Sequence, residues 1–526
     1  NCVRQHSHNK VLVINSQDSD DEFSHKETNV EGDVTEKKIQ NQAGEVILAL
    51  SQQRVRDIVN AIQQHSQDES VALFGCDLIS SVLMWGDSSA GSKGDGTTDG
   101  RVYLLNDSHT QLSNFFDAAG ACEMLNVILN QHNSNTSIIS SSLHAIGLLL
   151  RAQARSAVVT LEDQMEFRED RMSRFGSLHD CEVVLKLLNK YGASDKAVLK
   201  YATLVLSNIL FACEDEKKLA LIGDPGTIKT VMKMLMSAVG DQGVSRHGCL
   251  FINRLSVAGD LFPALLLQGG ACGFLLGALN NHLQIPSVVE NALHAVHALC
   301  RHHAPASDQL GNFDVCQALA CIFTEYPVTS INEPVAFALC RAVASLADEN
   351  GNNCLKFGKV GACEDIVKQL IHFLNGPYIA IIRDSNNESG NGGGDGEGGR
   401  AAYCELVALW SCRAIGCLAK DPSTWPTRSG QVKVTGGGFN ENRVTLGDVG
   451  ACEAISQVLK NYSGDEHITQ WALWAALNLC EGDDANTGKL TRAGALKCVT
   501  EAAVHFADNE SVVTWASEVR TMLEAK

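Results

Sequence analysis

VGACEAISQVLKNYSGDEHITQWALWAALNLCEG, residues 449–482, is the stretch on which the reading of this chain turns. Ala454, Ile455, Val458 and Leu459 recur at helical spacing after the Gly450-Ala451-Cys452-Glu453 opening. Gly464 or Asp465 then starts a second, longer helix with Ile468, Ala472, Ala475 and Leu479 at i, i+4, i+7 and i+11. Each helix carries one apolar stripe, and two helices cannot bury both stripes by themselves. A neighbouring copy has to cover what is left.

Copies are present. Gly120-Ala121-Cys122-Glu123, Gly270-Ala271-Cys272 and Gly361-Ala362-Cys363-Glu364 each open a similar apolar period, and weaker versions stand at Asp180-Cys181-Glu182, Asp314-Val315-Cys316, Gly226-Thr227-Ile228 and Gly494-Ala495-Leu496. The cysteine slot therefore recurs at Val55, Cys122, Cys181, Ile228, Cys272, Cys316, Cys363, Cys452 and Leu496, with spacings of 67, 59, 47, 44, 44, 47, 89 and 44. A floor of 44 with occasional excess is a helical repeat carrying insertions. A short helix precedes the G-A-C helix in each copy, as Gly488–Ala493 before Gly494 illustrates. The expected architecture is an all-α, right-handed α-solenoid of about nine three-helix repeats.

The pattern resembles the armadillo repeat family, in which a short helix leads through G-A-x-P-A-L-V to a long helix ending W-A-L-S-N. Gly450–Ile455 and Trp474-Ala475-Ala476-Leu477-Asn478-Leu479 carry the resemblance most closely, and it spans about residues 45–526. It implies a fold and a general capacity to bind protein segments, and it names no partner.

Composition narrows the partners. Lys and Arg number 42 against 61 Asp and Glu, a net charge of −19, with no local basic patch, so neither nucleic acid nor an anionic membrane is an expected ligand. No apolar run approaches the ~20 residues that span a bilayer. Residues 1–42 are acidic and lack an apolar period, which predicts a disordered arm ahead of the solenoid at 43–526. No secretory signal is evident, and Asn1 in place of Met suggests a segment of a longer protein. The nineteen cysteines include no C-x-x-C, and six share the repeated slot, which favours small buried packing residues over a disulfide or zinc framework. A reducing compartment is then expected, cytoplasmic or alternatively nuclear.

Insertions are expected near 86–101, 153–175, 375–400 and 421–442. The first is glycine-rich but lacks the order of a phosphate-binding loop, and the second, with Glu162–Arg174, reads as an exposed charged helix. Within the third, Tyr378–Ile382 is an apolar run that could pack on the solenoid. His294, His297 and Cys300 lie along one helix and could hold a metal, although a partner-facing or capping role is preferred because no further ligand is near in sequence. No cofactor is expected.

In such a solenoid the third helices line a concave groove. In unit eight the stripe facing it is Trp471, Trp474 and Asn478. Armadillo nuclear-import adaptors clamp a basic peptide with a ladder of Trp and Asn four residues apart, and Trp474 with Asn478 matches one rung. The equivalent pairs elsewhere are Leu143/Gly147, Leu204/Asn208, Leu250/Arg254, His294/Ala298, Arg341/Ser345 and Arg413/Cys417. One Trp cannot make that ladder, and Arg254, Arg341 and Arg413 would repel a basic signal. Leu204, Asn208, Arg254, His294, Arg341, Ser345, Arg413, Trp471, Trp474 and Asn478 are therefore the candidate groove residues, better suited to an acidic or mixed-charge peptide or helix than to an import signal. The expected function is a non-catalytic interaction scaffold or adaptor. The alternative is the recruitment region of a larger signalling enzyme, since the G-A-C-E style is similar to armadillo segments of the ROCO kinase family. Nothing in the sequence couples a nucleophile to a base, so an enzyme is not expected.

Overall fold

A computed structural model describes residues 52–88, 107–151, 177–211, 213, 215–327, 333–376, 397–421 and 438–525, and among these every regular element is an α-helix. The acidic arm, the expected charged helix at 153–175 and the Tyr378–Ile382 run all lie outside the described residues.

The described helices fall into nine consecutive units. Units eight and nine show the full pattern, Gly438–Asp448, Ala451–Asn461 and Glu466–Cys480, then Asp484–Arg492, Ala495–His505 and Glu510–Glu524. Units two and four to seven repeat it, and units one and three show their second and third helices. Third helix packs on third helix along the whole series, from Glu69–Ser88 through Thr136–Arg151, Lys196–Leu210, Gln242–Val257, Pro286–His302, Glu333–Ala347 and Glu397–Ala419. The all-α solenoid follows directly from the repeat. Helix bounds differ locally from the expected insertions: Glu69–Ser88 extends past residue 86, and Gly438–Asp448 begins inside the stretch read as 421–442.

The G-A-C opening has a physical reason at each position. Gly120, Gly270, Gly361, Gly450 and Gly494 sit at φ of 81°, 98°, 81°, 97° and 81°, turning the chain from first to second helix in a conformation that glycine adopts without strain. The following alanine is fully buried in all five, and the slot residues Val55, Cys122, Cys181, Ile228, Cys272, Cys316, Cys363 and Cys452 are at most 2 % exposed, while Leu496 in the last unit is partly buried. Glu123, Glu364 and Glu453 place a carboxylate in the first turn, where the helix dipole favours it. Units three and four start their second helices differently. Ser177 and Asp180 form a capping box, and Asp224 caps the Pro225–Ser237 helix through Thr227 N. Those caps replace the glycine, which is why the motif fades there.

Two ladders fix the stacking. At the end of the second helix in units two, three, five and six an aromatic or histidine side chain reaches the preceding unit: His132 Nε2 lies 2.7 Å from Ser66 O, Tyr191 Oη donates to Asn133 O at 3.0 Å, His282 Nε2 lies 3.0 Å from Val239 O, and Tyr326 Oη donates to Leu283 O at 2.9 Å. In the last three first helices a buried asparagine bridges two helices of the unit before it. Asn353 Nδ2 donates to Ser307 O (2.8 Å) and Leu346 O (2.9 Å), Asn442 Nδ2 to Cys354 O (2.9 Å) and Leu418 O (3.4 Å), and Asn486 Nδ2 to Arg443 O (3.1 Å) and Leu479 O (3.2 Å). Each of these amides lies on a glycine, Gly311, Gly358 or Gly447, where a methyl group would collide with it. Glycine in these short first helices is thus a docking notch for the next unit.

Candidate partner-binding face

The third helices of units six to nine put a row of aromatic and cationic side chains on one face. Phe337 is followed by Arg341, whose guanidinium carbon lies 5.6 Å from the Phe337 centroid and 5.5 Å from that of Trp410. Arg413 lies between Trp410 and Trp471, at 5.2 Å and 4.5 Å from their centroids. Trp471 then meets Trp474 edge-on at 5.4 Å, and Trp515 in unit nine lies 6.3 Å and 6.4 Å from the two. All seven side chains are half-buried. Guanidinium groups held against ring faces combine cation–π attraction with an exposed hydrogen-bonding edge.

The row has structural reasons as well as a surface. Arg413 Nη2 donates to Asp348 Oδ2 at 3.0 Å, a partly exposed pair that fixes the guanidinium between its two rings. His297, on the unit-five helix, is 3 % exposed, and its Nδ1 lies 2.6 Å from Ser345 Oγ. The Ser345 hydroxyl donates to Arg341 O at 2.8 Å, so its proton is spent and the imidazole donates from Nδ1. Nε2 is then unprotonated, and among the described residues it has no hydrogen-bond partner. Burial, followed by the charges of Arg341 and Arg301, depresses the His297 pKa from the usual 6.5 to about 2. Burial likewise lowers the Arg341 pKa to about 10, with Arg301 adding repulsion.

Not all sequence-named groove residues present a free surface. Leu204 is 3 % exposed and lies over Gly147 of the preceding third helix, where an added Cβ would come within 2.7 Å of its Cδ2. Asn208 is 7 % exposed, and its amide donates to Gly147 O at 2.9 Å. Asn478 is 3 % exposed and donates to Trp474 O at 2.7 Å, one turn back on its own helix. The asparagine of the import-type rung is therefore engaged inside this chain. Successive third helices approach closely enough that positions read as groove-facing become inter-helix contacts. Trp474 itself lies against Gly416 of unit seven.

Arg254 lies 3.8 Å from the Phe211 centroid, and His294 pairs with Glu290 at 3.7 Å. His297 is a core side chain rather than a partner-facing or capping one, and among the described residues no His, Cys, Asp and Glu cluster suits a metal ion. Earlier along the same face His144 stacks on Tyr201 at 4.2 Å, with Lys200 over the Tyr201 ring at 4.3 Å. Sequence reasoning missed Phe337, Trp410 and Trp515. A signal was present, since Trp410 precedes Arg413 by three residues as Trp471 precedes Trp474.

No protein-family model and no curated protein matches the chain. Among solved structures it is similar to an engineered protein of the Northeast Structural Genomics Consortium, at 15 % identity and a TM-score of 0.53, covering 92 % of this chain and 98 % of that one. A designed armadillo repeat protein is 17 % identical with a TM-score of 0.37, over 60 % of this chain and 98 % of the other. A structure concerned with a phosphorylation switch between cadherin and beta-catenin is 13 % identical with a TM-score of 0.42, over 89 % and 98 %. The first supports the helical-repeat fold, and the looser two add nothing to it.

Proposed function

We propose that this chain is a non-catalytic armadillo-type scaffold or adaptor, holding an extended or helical segment of a partner protein against the third helices of units five to nine. The observation that carries this reading is the continuous half-exposed row from Phe337 through Arg341, Trp410, Arg413 and Trp471 to Trp515. Aromatic and arginine side chains are the types that dominate binding energy at protein interfaces. The cations favour a partner segment of acidic or mixed charge. The eighteen described cysteines are free thiols, mostly buried, which supports a reducing compartment such as the cytoplasm.

The test is site-specific photo-cross-linking in native lysate. Benzoylphenylalanine is placed at Phe337 or Trp471 on the third helices, and at Lys229 or Lys368 on second helices as controls. The reading expects one set of proteins attached from the third-helix positions, with the cross-linked peptide sharing a short segment. Attachment from the second-helix positions alone would refute it.

A further inference from the structure

Between the third helices of units five, six and seven the face deepens into a cavity of about 350 Å³, with His297, Arg301, Ser345, Asp348, Trp410 and Arg413 in its wall. Its charges do not balance. Arg413 is paired with Asp348, but Arg301 and, behind the wall, Arg341 have no carboxylate within 4 Å among the described residues. Arg341 is half-buried and its Nε has no hydrogen-bond partner. The exposed Arg301 at the mouth and the half-buried Arg341 behind it make a local site for an anion in a chain of net charge −19, because a partly desolvated cation such as Arg341 is stabilised by a counter-charge.

We infer that this cavity binds one carboxylate, the side chain of an aspartate or glutamate in a docked peptide, with Arg301 pairing to it and Trp410 packing along its stem. The inference rests on the scaffold reading above and specifies the anchor on that face. A monoanion fits better than a dianionic phosphate because Asp348 already neutralises Arg413, so one mouth cation remains. Arg341 stabilises the bound charge from behind without touching it.

The experiment is fluorescence anisotropy with the full chain and a fluorescein-labelled peptide alternating Glu and Ser, beside a Gln-Ser peptide and a phosphoserine-Gly peptide of equal length. The variants are Arg301→Gln and, as a distant control, Arg520→Gln. Arg301 is exposed, so its substitution leaves packing intact, and circular dichroism checks this. The expected result is binding of the Glu-Ser peptide that weakens at least about tenfold in Arg301→Gln and with rising salt, is unchanged in Arg520→Gln, and is absent for Gln-Ser. Equal affinity in both variants, no Glu-Ser binding, or tighter binding of the phosphoserine peptide would overturn the carboxylate assignment. Cross-links that persist on the third helices while Glu-Ser peptides fail would sink this anchor and leave the scaffold reading standing.

Discussion

Asn353 offers the sharpest test of how the units are joined. It is 1 % exposed, and its amide donates to Ser307 O and Leu346 O, one on the first and one on the third helix of unit six. Asn353→Ala removes both bonds, each contributing roughly 1 kcal/mol, so the interface between units six and seven should weaken by about 2 kcal/mol. In a linear repeat array that loss acts locally before it acts globally. Native-state hydrogen exchange should therefore show protection in Glu333–Ala347 falling roughly thirtyfold, since about 1.4 kcal/mol is tenfold. Asn353→Asp should be worse at neutral pH, because a carboxylate facing two carbonyl oxygens donates nothing, and should recover partly in acid as it gains a proton. Gly311→Ala supplies the complementary arm. Its methyl collides with the Asn353 amide in the native chain, at a cost of roughly 1–3 kcal/mol, yet fills vacated space once Asn353 is alanine. The two substitutions should be strongly non-additive. Additive losses, or an Asn353→Ala variant within about 0.5 kcal/mol of the native chain, would refute the ladder as the element that fixes stacking.

Three further outcomes follow from the same geometry. His297 has a folded pKa depressed to about 2 against 6.5 unfolded, so it folds neutral: its contribution is complete above pH 6.5 and is lost as pH falls below it. At pH 5 the native chain should be about 2 kcal/mol less stable than at pH 7 from this group alone, and urea titrations of His297→Gln should lack that part of the slope. Trp474→Ala, which strips a ring from Gly416 and from Trp471, should cost roughly 2–3 kcal/mol and lower the thermal midpoint; an unchanged midpoint would mean the ring is a free rung. Iodoacetamide at pH 8 should modify exposed Cys321 first, whereas Cys316, Cys363 and Cys452, buried and with thiols pushed up to about 12, should react only as the chain opens; mass spectrometry of timed samples reads the order.

What could be read from sequence was what repeats for a local reason. The G-A-C slot needs a positive-φ glycine and two small buried residues, and those demands leave few alternatives, so the fold was visible at Gly450–Cys452 and again at Gly120, Gly270 and Gly361. The asparagine ladder was equally local in form, with Asn353–Gly358 and Asn442–Gly447 each five residues apart, but its meaning depends on the neighbouring unit. Groove positions were harder. Helical periodicity gives the face of a helix and not the distance to the next one, so Leu204 and Asn478 were assigned to the surface although adjacent helices or their own backbone hold them.

The same closeness bears on binding. Arg413 is held by Trp410, Trp471 and Asp348, which removes much of the rotameric freedom that a long cationic side chain would otherwise lose when a partner docks. Arg341 is held by Phe337 and Trp410, and its backbone carbonyl accepts from Ser345, which in turn orients His297. Rings supplied by one unit thus preset cations supplied by another. A substitution such as Trp410→Leu should weaken acidic-peptide binding through Arg341 and Arg413 even where the peptide does not touch residue 410. Restoring a ring with Trp410→Phe should return part of that affinity, whereas a purely apolar role for Trp410 would make leucine and phenylalanine equivalent.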